Sequence, residues 1–336
     1  MSTEKKPLVT VMICVYNAGE YFRPSLQSIL NQTYSNLDII VVDDGSTDGC
    51  IETASDLLAD TRVRLFRQAN MTKPFALNRA LEVARGEFYA QQDADDISYP
   101  TRIEKQLAAL LSKPDVAAAF CGNELVLNGR VVAPTFLPKT EAECRRAVDL
   151  LALPAHDPTG MYRMSLVGGM RYEEGAQGAE GVDYIMRVGE KYPMIVVGEC
   201  LYQYRILNTS ITRSDPMNRK LKEEDMERRA LKRRGLSSIV ARPEERPIVA
   251  WRSVNTIKDN RLSTQFLQSV RDKKKSGDTV GALVTGFQCV MLHPFDIDYY
   301  RALANAVIPS GIILSYKTFR SWITRLAEVQ PKQKRV

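Results

Sequence analysis

Three aspartates, Asp93, Asp95 and Asp96, fall within four positions of "EFYAQQDADDISYP" (residues 87–100), directly after a run with the character of a strand. Two carboxylates about 4 Å apart repel by roughly 4 kcal/mol at an effective dielectric near 20. Such crowding needs a cation, a shared proton or water between the groups. A second acidic group, Asp43 and Asp44 in "LDIIVVDDGSTD", ends another apolar run. A few carboxylates with no histidine or cysteine among them suit a hard divalent cation, Mg2+ or Mn2+, completed by water and substrate phosphates. The pattern predicts a metal site that also takes a diphosphate.

The elements that must position these acids are legible around them. "LVTVMICVY" is a nearly continuous apolar run, as in a strand buried on both faces of a parallel sheet. Asn17 follows it, placed to cap a helix in which Phe22, Leu26, Ile29 and Leu30 recur at helical spacing. "LDIIVVDD" is a second strand, "VRLFRQ" a third and "EFYAQQ" a fourth. "KPFALNRALEVARG" reads as a helix closed by Gly86. "LVLNGRVV" reads as a hairpin turning at Asn128-Gly129. Alternating strands and helices predict a doubly wound α/β sheet, mostly parallel, with helices on both faces. Ligands bind such sheets beyond the carboxyl ends of the strands, where Asn17, Asp43–Asp44 and Asp93–Asp96 all lie. No G-x-G-x-x-G follows the first strand and no G-x-x-x-x-G-K-[ST] occurs, which argues against a dinucleotide fold or a P-loop.

Bulk properties narrow the class. The chain has 336 residues, 44% hydrophobic and 26% charged, as in a soluble globular protein. Of the net charge of +6, the segment Lys317–Val336 alone carries +5, so a chain-wide nucleic-acid surface is not expected. Six scattered cysteines and two histidines offer neither a zinc pattern nor a disulfide framework. The opening "MSTEKKPLVT" has no signal-peptide core, and no run approaches the roughly 20 apolar residues of a membrane span. A cytoplasmic protein is expected. From about Asp215 the composition shifts: "NRKLKEEDMERRALKRRG" is a charged helix, and residues 246–308 read as mostly helical. In the tail, Tyr316, Phe319, Trp322, Ile323 and Leu326 recur at helical spacing among Lys317, Arg320 and Arg325. A basic amphipathic helix of this kind either lies on an anionic inner-membrane face or packs on the protein's own body.

Three blocks together resemble the family 2 glycosyltransferases: "LVTVMICVYNAGEYFRPSLQSILNQTYSNLDIIVVDDGSTDG", "ALNRALEVARGEFYAQQDADDISYPTRIEKQ" and, more loosely, "AEGVDYIMRVGEKYPMIVVGECLYQYR". The resemblance implies a GT-A fold over residues 1–214, followed by a mainly helical region, 215–336, with its basic tail. It further implies a metal-dependent, inverting transferase that moves one sugar from a nucleotide-sugar donor, a UDP-sugar by family habit, to an acceptor hydroxyl. The acceptor class it suggests is a surface polysaccharide or a lipid-linked glycan. The Q-x-x-R-W motif of the processive synthases is absent, which points to single-sugar transfer.

Residue by residue, the resemblance puts Tyr16 on the donor base with Asn17 beside it, and Asp44 on the edge of that base. Asp95 becomes the metal ligand, and Asp93 a ligand of metal or ribose. His156 and Arg205 are candidate contacts to acceptor or diphosphate. The family's general base is the aspartate of a Glu-Asp pair, and this chain departs there: Glu180 matches the glutamate, and Gly181 stands in place of the aspartate. Glu180 and Asp183, three apart on a helix, are the candidate bases. Gly181 also motivates an alternative, a catalytically impaired module that binds a nucleotide-sugar without turning it over. A nucleotidyltransferase is disfavoured, because "VYNAGEYF" replaces the Gly-rich loop such enzymes carry after the first strand.

Overall fold

The computed structural model describes residues 6–127, 130–135, 138–205, 216–236, 270, 279–292 and 297–307. The chain divides into two compact units, Met1–Lys258 and Asp259–Val336.

The first unit is built on a nine-stranded sheet in the order β3-β2-β1-β4-β8-β6-β9-β5, with β7 paired to β6. Its strands are β1 (Val9–Val15), β2 (Leu37–Asp43), β3 (Val63–Arg67), β4 (Phe88–Asp93), β5 (Ile97–Ser98), β6 (Ala118–Leu127), β7 (Arg130–Thr135), β8 (Met161–Arg163) and β9 (Met194–Arg205). β3, β2, β1 and β4 run parallel to one another. Beyond β4 the pairing is mixed: β8 joins β4 and β6 antiparallel, while β6 and β9 are parallel. The hairpin expected over "LVLNGRVV" forms between β6 and β7, with Leu127 opposite Arg130; its two turn residues lie outside the described residues.

Helices cover both faces because the central strands are apolar on both. Successive side chains of a strand point to opposite sides. On one side Met12, Ile40 and Val42 pack with Leu77 and Ala80 of α4 (Lys73–Val83), Cys144 and Val148 of α6 (Glu141–Asp149), and Ile185 and Val188 of α8 (Glu180–Lys191). On the other, Val11, Ile13, Ile39 and Val41 pack with Leu26 and Ile29 of α1 (Phe22–Leu30) and Ile103 and Leu107 of α5 (Arg102–Leu111). Short helices α2 (Cys50–Thr53), α3 (Ser55–Leu58) and α7 (Met164–Val167) complete the layers, and α9 (Pro216–Arg233) follows β9 in the chain. Arg233 on α9 and Arg234 just beyond it pair with Glu190 of α8 at 2.9 and 3.0 Å.

Two local expectations are corrected. α4 ends at Val83 with Ala84 already extended, so Gly86 is not its cap. A Cβ on Gly86 would lie 2.5 Å from the backbone nitrogen of Thr10 and from the carbonyl of Phe88; the glycine is there to let β4 start tight against β1. Asn17 caps nothing either. A 3-10 turn, Gly19–Tyr21, precedes α1, and Asn17 instead adopts φ 49° and ties two loops together.

The second unit contains α10 (Thr279–Leu292) and α11 (Ile297–Val307). The amphipathic tail anticipated after residue 315 lies outside the described residues. Among the described residues no helix is long and apolar enough to cross a membrane.

Candidate active site

Strand register brings the acidic groups to one edge. Val15 pairs with Asp43 and Cys14 with Asp93, so β1, β2 and β4 end level and release Tyr16, Asp44 and the Asp93–Asp96 turn side by side. Tyr16 is 46% exposed, its ring available to a ligand. Asn17 accepts at Oδ1 from the Thr47 amide (2.8 Å) and donates its own amide to Ser46 Oγ (3.1 Å), which fixes the loop after β1 against the loop after β2.

Asp44 is buried and fully engaged. Its two oxygens accept from Gln68 Nε2 (2.7 Å) and from the amides of Met71 and Thr72 (2.9 Å each). This carboxylate therefore shapes the 68–72 loop that lies beside it. Thr72 sits at φ 83°, a conformation that L side chains avoid, and the hydrogen bond its backbone N–H donates to Asp44 helps hold it there. The next residue, Lys73, starts α4 and is delivered to the acids: its Nζ lies 2.6 Å from Asp93 Oδ1 and 4.0 Å from Glu180 Oε1. Burial pulls Lys73 down, but the charges of Asp93, Glu180 and Asp157 outweigh it and hold the ammonium well above its ordinary value.

The turn after β4 is pinned by backbone contacts. Ser25 Oγ donates to the Asp93 carbonyl (2.8 Å), Gln92 Nε2 donates to the Asp96 carbonyl (3.0 Å), and the Asp93 amide donates to the Tyr202 hydroxyl (3.2 Å). One oxygen from each of Asp93, Asp95 and Asp96 lies within 4.8 Å of the others. Burial, with the charge of Asp93 adding to it, pushes the Asp95 carboxyl up to about 6. Burial and the charges of Asp95 and Asp93 push Asp96 well above the usual carboxylate range. Asp96 Oδ1 accepts from the Arg205 amide (2.8 Å), while its Oδ2 is buried with no hydrogen-bond partner. A buried oxygen without a donor, beside carboxylates whose charges push the Asp95 and Asp96 carboxyls up, fits a divalent cation.

The remaining predicted residues divide. Arg205 reaches the edge of this cluster, with its guanidinium 5.4 Å from the ring centre of Tyr21 and its Nη1 buried without a hydrogen-bond partner. His156 packs its ring on Tyr204, centroids 4.6 Å apart. Glu180 faces Lys73 and accepts from the Gly178 amide (2.5 Å). Asp183 is not brought to Lys73. It is buried and pairs with Arg187 (2.6 Å) and Arg233 (3.9 Å).

This architecture can be compared with known proteins. The profile of the family described as Glycosyl transferase family 2 matches residues 10–167. The O-antigen biosynthesis glycosyltransferase WbnJ of Escherichia coli is 30% identical over 222 residues, 64% of this chain and 85% of that one. The chain belongs to glycosyltransferase family 2. Its fold is GT-A. Staphylococcus aureus TarS 1–349, solved with UDP-GlcNAc, superposes with a TM-score of 0.53 at 19% identity, covering 88% of this chain and 90% of that one. The mannosyltransferase PcManGT of Pyrobaculum calidifontis, solved with GDP-Man and Mn2+, gives 0.52 at 19% identity, covering 90% and 86%. The chain spans about a third of the length of three further curated glycosyltransferases it matches, from Haemophilus influenzae, Escherichia coli and Bacillus subtilis.

Two residues of the acidic site escaped the sequence. Lys73 carries one signal in hindsight, a cation at a helix start, where the dipole disfavours positive charge unless acids compensate. Asp157, in the short turn Asp157–Thr159, adjoins His156 in the segment "PAHDPTG". Enclosure pushes its carboxyl up to about 7, with Lys73 opposing and the charges of Asp93 and Glu180 adding to the shift.

Proposed function

We propose that this chain transfers one sugar from a nucleoside-diphosphate sugar to an acceptor hydroxyl, with inversion at the anomeric carbon and with Mn2+ or Mg2+ held by Asp95 and Asp93. The observation that carries the proposal is the Asp93–Asp95–Asp96 cluster, with its unpartnered buried oxygen, at the strand edge that also presents Tyr16. A divalent cation bound there supplies charge that stabilises the departing diphosphate. The chain's own residues do the rest. Tyr16 offers a ring face to the donor base, beside the loop that Asn17 fastens. Asp44 acts on the same end of the donor through the 68–72 loop it anchors. Arg205, with an unpartnered guanidinium nitrogen, is suited to the diphosphate, and His156 to the acceptor side.

UDP is the expected nucleotide, and TarS, crystallised with UDP-GlcNAc, supports it; PcManGT, with GDP-Man and Mn2+, supports a metal and leaves guanosine as the other base to test. The name of WbnJ supports an acceptor in surface polysaccharide synthesis. Gly181 favours a second reading, donor binding without turnover.

The test is incubation with UDP-sugars and GDP-Man, Mn2+ and a panel of glycoside and lipid-linked acceptors, following diphosphate release and product configuration by NMR. Consumption of one α-linked donor with formation of a β-linked product is expected. Transfer with retention contradicts the mechanism, and tight donor binding with no transfer selects the binding module.

A further inference from the structure

Gly181 removes the aspartate that the family resemblance leads one to expect at that place on α8, and the structure fills the gap from another element. A Cβ built on Gly181 would lie 1.9 Å from Asp157 Oδ2, 2.0 Å from its Cγ and 2.4 Å from its Oδ1. The whole carboxylate of Asp157 thus occupies the space where a side chain at 181 would begin. No residue larger than glycine fits at 181 while Asp157 holds this position. The geometry points to Asp157 as the general base of the transfer, a carboxylate supplied by the 156–159 turn in place of one supplied by α8. The assignment rests on the transferase reading above and sharpens it: the base is neither Glu180 nor Asp183.

Three observations favour this over a merely structural acid. First, Asp157 shares its surroundings with the site, since Lys73, Asp93 and Glu180 are the charges that act on it. Second, among the described residues it forms no ion pair, whereas Asp183 is neutralised by Arg187 at 2.6 Å and Glu180 lies against Lys73. A buried acid beside two further carboxylates, with Lys73 shared among all three and no ion pair of its own among the described residues, has a cost that packing alone does not explain. Third, it is held firmly. Arg102, fully buried in α5, donates to the carbonyls of Gln91 on β4 and of Pro158 (2.8 Å each), and Gln106 Nε2 donates to the Thr159 carbonyl (2.7 Å). With its amide oriented to satisfy both neighbours, Gln91 donates to Asp157 Oδ1 (3.0 Å) and accepts from the Tyr172 hydroxyl (3.1 Å). That contact fixes one carboxylate oxygen and leaves Oδ2 for a proton, the arrangement of a base oriented by a neighbour.

The step balances simply. The acceptor hydroxyl oxygen bonds to the anomeric carbon as the bond from that carbon to the diphosphate oxygen breaks. The nucleoside diphosphate leaves with the electron pair, and the hydroxyl proton passes to Asp157 and from there to solvent.

The test compares wild type, Asp157→Asn, Asp157→Ala and the double variant Asp157→Ala/Gly181→Asp, which returns the carboxylate to α8. Binding of UDP and GDP with Mn2+ is measured by calorimetry, and turnover by diphosphate release from UDP-GlcNAc, other UDP-sugars and GDP-Man, with water and glycosides as acceptors. Asp157→Asn is expected to bind the diphosphate within about threefold of wild type and to lose about 100-fold or more in kcat, the usual worth of a general base. The double variant should recover at least about tenfold over Asp157→Ala, which a merely structural role would not produce. Turnover by Asp157→Asn close to wild type overturns the assignment, as does a wild type that binds the diphosphate yet turns over no donor. A wild type that binds no nucleotide brings down the transferase reading and this assignment together.

Discussion

Lys73 Nζ lies 2.6 Å from Asp93 Oδ1, so the first cation in the carboxylate cluster belongs to the protein itself. Replacing it by a neutral side chain of similar length, Lys73→Met, removes a charge-assisted hydrogen bond and leaves Asp93 facing Asp95 and Asp96 alone. Thermal or denaturant unfolding should show a loss of about 2 kcal/mol without metal. Added Mn2+ should restore part of that loss, and calorimetry should find Mn2+ bound more tightly than in wild type, because Lys73 no longer competes for Asp93.

Asp44→Ala withdraws the acceptor from Gln68 and from the amides of Met71 and Thr72; Gln68 Nε2 and the Met71 amide are left short of a partner, while the Thr72 amide keeps Asn70 Oδ1 at 3.2 Å. The expected cost is about 2–4 kcal/mol in unfolding experiments. Thr72 is held at φ 83° in part through this carboxylate, and Lys73 follows directly, so nucleotide affinity should fall in the same variant.

Asp183→Asn separates the candidate bases. Its carboxylate is committed to Arg187 on the same helix, and the loss should appear as stability, about 2 kcal/mol after allowing for the partial exposure of Arg187. The transfer rate should stay within about threefold of wild type, far from the loss a general base would show. A rate loss of 100-fold at unchanged diphosphate affinity would return the role to Asp183.

Proton linkage gives a signed expectation for the metal. The Asp95 carboxyl titrates at about 6 in the folded protein, above its ordinary value of 3.8, so its protonated form favours folding at low pH and that contribution is lost as pH rises through about 6. Mn2+ needs the ionised form and displaces the proton. The rise in Tm on adding Mn2+ should therefore be small near about pH 5 and grow toward about pH 7.5, with apparent affinity falling about tenfold per pH unit below 6 for each proton displaced.

What the sequence revealed and what it withheld follow from the range of the interactions. β1 and β2 announce themselves as local apolar runs and β3 and β4 as shorter strand-like stretches between helix and turn signals, and the acids that end β2 and β4 mark the functional edge. Lys73 and Asp93 are twenty residues apart and meet because α4 packs back on the sheet. Asp157 and Gly181 belong to a turn and a helix start that only the folded chain brings together. Position-by-position resemblance found the missing aspartate at 181 but not the carboxylate beside it, since nothing local links the two segments. Asn17 and Gly86 follow the same rule: both sit beside helix signals in the sequence, and both answer in the fold to distant strands and loops.

The most direct test of the central claim, a metal-dependent donor site built on the aspartate cluster, is calorimetric titration of UDP and GDP into wild type and Asp95→Ala, each with and without Mn2+. The account predicts that one diphosphate binds tightly to wild type, and only with Mn2+, and that Asp95→Ala abolishes the metal-dependent part. Binding that ignores both Mn2+ and Asp95, or no binding of either nucleotide, would contradict it.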